Sequence, residues 1–125
     1  MRQAPDRLLH INLASGAIEP WLSRLPGLEL IGFDASGMPF VVSDGSPLRI
    51  LLLSGRGQSS VLYTGAREAG WPVPPAYVDG DQVWFSGLGI NGNFEAPAWL
   101  YQPASGLKRA AAVTGAQVTV AGPCR

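Results

Sequence analysis

His10 is the only histidine in the chain, so any acid–base chemistry near neutral pH must start there or from carboxylates. A nucleophilic triad needs a base oriented by a carboxylate beside a nucleophile, and the sequence contains no G-x-S-x-G or comparable motif. His10 falls on the polar side of the alternating run Leu9-His10-Ile11-Asn12-Leu13, which reads as an exposed surface position. Asp79 and Asp81 lie two apart, and Asn91 and Asn93 flank Gly92, a pattern superficially like oxygen ligands for calcium. A calcium loop draws on several carboxylates at alternate positions and a bidentate glutamate, which these stretches lack. Asp and Asn before Gly are also ordinary turn residues, and that reading is preferred; no metal or other cofactor is assigned. Gly55-Arg56-Gly57 and Gly87-Leu88-Gly89 are turns as well, because no helix follows them to complete a phosphate cradle. Cys124 is the only cysteine, so no disulfide within the chain is available.

Binding chemistry has better material. Seven of the eleven aromatic residues fall between Trp71 and Tyr101, and most of these occupy strand positions where rings fill a core. Trp71 and Phe94 differ because their surroundings are rich in Gly, Pro and Asn, which read as loops. Aromatic rings on loops stack on sugars or anchor protein contacts. Trp71, Asn91, Asn93 and Phe94 therefore form the candidate ligand-binding set, with a carbohydrate or protein as ligand.

The elements that must position these residues are short strands. Tyr77-Val78 pairs with Val83-Trp84-Phe85 across Asp79-Gly80-Asp81, and Trp99-Leu100-Tyr101 pairs with Leu107 to Val113 across Ala104-Ser105-Gly106. Earlier hairpins run from Arg7 to Trp21 with a turn at Ala14-Ser15-Gly16, from Leu28 to Val42 turning at Asp34 to Gly37, and from Leu48 to Tyr63 turning around Ser54 to Gly57. In the first, Leu9, Ile11 and Leu13 are expected on the buried face, and Pro20 and Pro26 limit the return strand. Trp71 to Pro75 reads as a Pro-rich connector, and Gln117 to Val120 as a last short strand. Apolar residues nowhere recur at helical spacing for three turns free of Gly or Pro, so the fold class is all-β.

Aligning Ser15-Gly16, Arg56-Gly57 and Ser105-Gly106 puts Leu9, Ile50 and Trp99 in one column and Ile11, Leu52 and Tyr101 in another. Phe40-Val41 likewise matches Trp84-Phe85. The period of roughly 40–50 residues is that of β-propeller blades, each a four-stranded antiparallel sheet. The stretch D-G-D-Q-V-W-F-S-G, followed by W-L-Y-Q-P-A-S-G, resembles repeats of streptogramin-lyase-type (virginiamycin B lyase-like) propellers. Weaker copies begin at Asp34 and Leu9, so the resemblance spans Arg7 to Val113. It implies a propeller fold. It also implies, for the lyases themselves, a metal-assisted elimination with a histidine base, but the single His10 leaves no active site to carry over.

Five hairpins make two and a half blades: Met1 to Asp6 as a lead-in, then one propeller segment over 7–125. An open set of blades exposes apolar faces, so completion is expected from a second copy, or from the remaining blades of a larger protein. The dimer, which supplies five blades, is the favoured form. Nine acidic and nine basic residues with no block of either sign argue against nucleic acid and against electrostatic docking to a membrane. No signal peptide or membrane-length apolar run is visible, and the sequence assigns no compartment. The reading is a non-catalytic binding or scaffold module. The competing reading is part of a lyase- or lactone-hydrolase-type propeller enzyme whose site is built with other blades.

Overall fold

The computed structural model describes residues 6–25, 27–45, 47–65, 70–88, 95–114 and 117–121. These form eleven strands in antiparallel sheets. A two-stranded sheet holds β1 (Asp6–Ile11) and β2 (Ile18–Leu25). A four-stranded meander follows in the order β3 (Leu28–Phe33), β4 (Pro39–Ser43), β5 (Leu48–Gly55), β6 (Gln58–Gly65). A second meander runs β7 (Trp71–Asp79), β8 (Gln82–Leu88), β9 (Glu95–Gln102), β10 (Gly106–Thr114). Beside β8 lies the two-residue β11 (Gln117–Val118), paired with Gly87 and Leu88.

Turn chemistry explains the hairpins. Asp34 Oδ1 accepts from the backbone N–H of Ser36 and Met38 and from the Ser36 hydroxyl, which closes the β3–β4 turn. Between β7 and β8, Asp79 pairs with Gln82, and Gly80 takes the left-handed φ of 62° that a two-residue link demands. Asn12 does the same work between β1 and β2: its Oδ1 accepts from the N–H groups of Ala14 and Ser15.

The sheets stack face to face in three layers. The first meander is packed on one face by the β1–β2 layer and on the other by the second meander. Val41, Leu51 and Leu53 of the first meander pack against Leu8, Trp21, Leu22 and Leu25 of the β1–β2 layer. On its opposite face, Phe40, Val42 and Ile50 pack against Val83, Phe85, Trp99 and Tyr101 of the second meander. All five residues of β4 are consequently buried. Phe40 meets the rings of Phe85 and Tyr101 edge-on at 4.9 and 5.0 Å, and Tyr63 meets Trp99 at 5.2 Å. Full burial of each such side chain contributes roughly 1.5–3 kcal/mol. The Trp99 indole N–H is buried with no hydrogen-bond partner among the described residues, a cost of roughly 1–3 kcal/mol set against the burial of its ring. Burial, and then the nearby Asp34 carboxylate, push the Tyr101 hydroxyl pKa up.

The layers are not parallel slabs. β3 runs close beside β7, whereas β6 and β10 touch only sparsely, so the two meanders converge at their first strands and splay at their last. Gly32 makes the convergence sterically feasible. A Cβ there would lie 2.9 Å from Ala76 Cβ and 3.1 Å from Phe85 Cε1.

Several expectations from the sequence need correction. Leu9, Ile11 and Leu13 are not a buried face; they are 48%, 52% and 94% exposed, because Leu8 on the other side of β1 makes the contact with the first meander. Pro20 does not curtail the return strand, since β2 continues to Leu25. Trp71 to Pro75 is no connector but the first part of β7, an edge strand whose free side tolerates prolines. The last strand stops at Val118. The columns slip by one: across the ladders Val41 pairs with Leu51 and Phe85 with Trp99, so Leu51, not Ile50, stands where Trp99 does. The β5–β6 link is two residues and the β9–β10 link three, and aligning on the turn glycines absorbs that difference in the wrong place. Residues 1–5 of the expected lead-in lie outside the described residues, and Asp6 opens β1.

Gly32→Ala should destabilise the fold by about 1–3 kcal/mol, the usual cost of overpacking an interior contact. Chemical denaturation checks this, and an unchanged midpoint would contradict the close approach of β3 to β7.

Candidate functional site

An apolar cleft lies where the β1–β2 layer stops short. Two strands cannot cover a four-stranded face, and the uncovered part belongs to β3 and the start of β4. Leu30 and Phe33, 42% and 50% exposed, remain open there. With Met38, Pro39, Leu8 and Leu9 they line a cleft of about 250 Å³, and His10 and Trp21 close its side. The lining contains no hydroxyl, thiol or carboxylate.

A polar cluster fixes that side wall. His10 and Glu19 are cross-strand partners in the β1–β2 ladder. The His10 and Trp21 rings stack with centroids 4.6 Å apart and planes inclined by 17°. Trp21 Nε1–H donates to Glu19 Oε1 at 3.0 Å, and His10 Nδ1 lies 3.6 Å from the same oxygen. The other oxygen, Oε2, accepts from an Arg56 guanidinium N–H at 3.2 Å. Arg56 sits on the β5–β6 turn, and its neighbour Gly57 donates its backbone N–H to the Trp21 carbonyl at 2.8 Å. Glu19 and Arg56 are both substantially solvated, so their ion pair is worth less than about 1 kcal/mol. Its effect is to orient Trp21 and to tie the two-stranded layer to the next sheet. Chemically, an apolar cleft with an aromatic wall and one imidazole at its rim suits binding rather than bond-making.

A second groove, of about 300 Å³, opens on the far face of the second meander. Tyr77, Asp79, Trp84, Val120 and Ala121 line it. Ser86 holds the final segment there: its buried hydroxyl donates to the Pro75 carbonyl and accepts from the Val120 N–H, both at 3.0 Å.

Of the candidate ligand-binding residues, Asn91, Asn93 and Phe94 lie outside the described residues. Trp71 is placed at the start of β7, opposite Leu88, half-buried and packed against the inter-sheet core rather than on a loop. Asp79 and Asp81 bracket Gly80 at the β7–β8 turn. His10 is exposed over 45% of its side chain, on the rim of the first cleft. Sequence reasoning missed the grouping of His10, Glu19, Trp21 and Arg56. The i, i+2 spacing of Glu19 and Trp21 on a strand was a readable signal for a shared face, whereas Arg56 comes from 37 residues away.

Trp21→Ala should loosen the β1–β2 layer selectively. Amide exchange in β1 and β2 should accelerate at least about tenfold while β4, β5, β8 and β9 keep their protection, as for a locally opening unit. Uniform loss of protection across all three layers would contradict this division.

Comparison of the chain with protein-family models, with curated proteins and with solved structures finds no match in any of the three.

Proposed function

We propose that the chain is a β-propeller segment of two and a half blades that serves as a non-catalytic binding or scaffold module, completed by association at its open ends. In this reading β1–β2 is a half blade and the two meanders are full blades.

One observation carries the reading: the two meanders stack in the same sense. Val41, Leu51 and Leu53 of the first face backwards, as Phe85, Trp99 and Tyr101 of the second do. Phe40 and Leu52 of the first face forwards, the side on which Trp84 and Leu100 of the second are found. Repeated one-way stacking with converging first strands is how blades arrange around an axis. It has no natural end until a ring closes or a partner covers the last face. The streptogramin-lyase-like repeat pattern points the same way for the fold. The competing enzyme reading gains no residue set from the first cleft, whose only titratable lining group is His10.

Light scattering across a dilution series tests the completion. The expected result is a discrete species of twice the chain mass at micromolar concentration. A single-chain mass at every concentration would overturn it.

A further inference from the structure

Resting on the reading above, we propose which surfaces meet when a second copy completes the stack: the outer face of β1–β2 in one copy seats on the Tyr77–Trp84 groove of the other, head to tail.

Both surfaces are unfinished versions of a contact the chain already makes. Inside the chain, the forward face of one meander is covered by the backward face of the next layer. The second meander has a forward face of its own, where Tyr77 pairs with Trp84 across β7 and β8; Leu100 beside them is already buried, and Val120 and Ala121 form one wall of the groove that stays open. No further sheet among the described residues covers it. At the other end, the β1–β2 layer has a backward face. Ile11 lies on it by strand alternation from Leu8, and Ile18 pairs with Ile11, while Leu9 sits at its edge, where it also lines the first cleft. Leu9, Ile11 and Ile18 are 48%, 52% and 63% exposed.

Three physical arguments select a second copy. The geometry continues the internal interface, so the same sheet-on-sheet packing serves between chains. The charges match at the rim: Arg7 shares the outer side of β1 with Leu9 and Ile11 and is exposed, and Asp79 lines the groove. The apolar surface points the same way. The three aliphatic side chains expose on the order of 300 Å² of apolar surface, the size of the largest and often functional patch on a typical single chain. Because the two faces differ, the contact is heterologous, and two copies related by a two-fold axis make it twice. Two such contacts bring together on the order of 600 Å² of this aliphatic surface, to which the exposed parts of Tyr77 and Trp84 add.

The test uses Ile11→Asp, which spoils the donor face, and Tyr77→Asp, which spoils the groove; both residues are exposed, so the far-ultraviolet circular dichroism should remain as in the parent chain. Sedimentation equilibrium should show each variant alone as single chains where the parent is paired. Mixing the two variants restores one of the two contacts, so a mixed pair should form, at least about tenfold weaker than the parent pair. If Tyr77→Asp pairs as tightly as the parent, or the mixture stays unpaired, the head-to-tail assignment is wrong although completion by a second copy stands. If the parent chain itself never pairs, both fall.

Discussion

Everything in this molecule hangs on how closely β3 can approach β7. Where Gly32 faces Ala76 there is no room for another carbon, and the two meanders come together at that line. Further out, Phe40, Phe85, Trp99 and Tyr101 hold the sheets apart with rings meeting edge to face. Small residues at the first strands and large ones farther out produce a wedge, not a flat sandwich. A wedge repeated in one direction turns about an axis, and a flat pair of sheets does not.

That geometry also decides where the chain is left unfinished. The middle layer is flanked on both faces along β4, which is why β4 is buried from end to end. The outer layers are not. The two-stranded layer covers only part of its neighbour, leaving Leu30 and Phe33 beside an apolar cleft, and its own outer face is aliphatic. A two-stranded sheet is marginal by itself. Here the Glu19–Arg56 pair, the Trp21 stack and the Gly57-to-Trp21 backbone bond tie it to the next sheet. The surfaces proposed for binding are those that no further sheet among the described residues covers.

Much of the strand layout was legible because turns announce themselves locally. Asp34 with its side-chain caps, Gly80 at positive φ and Asn12 all act within a few residues, so residue type alone locates them. Facing was harder. Strict alternation in β1 shows that its two sides differ, yet Leu8 and Leu22 make the other side apolar too, and only the neighbouring sheet decides which is covered. Prolines misled at β7 because their missing N–H groups matter in a central strand and not on a free edge. The His10–Glu19–Trp21–Arg56 cluster was invisible for another reason: its last member arrives from a turn whose position depends on the packing of two sheets.

The most direct test of the account is a through-space proton contact between the Gly32 Hα protons and the Ala76 methyl group, read in a ¹³C-edited nuclear Overhauser spectrum of the intact chain. The wedge predicts a strong cross-peak, because a carbon built on Gly32 would sit 2.9 Å from that methyl carbon. Absence of the peak, with both resonances assigned and the strands otherwise formed, would mean that the first strands do not converge, and the stacked-blade account would fail with it.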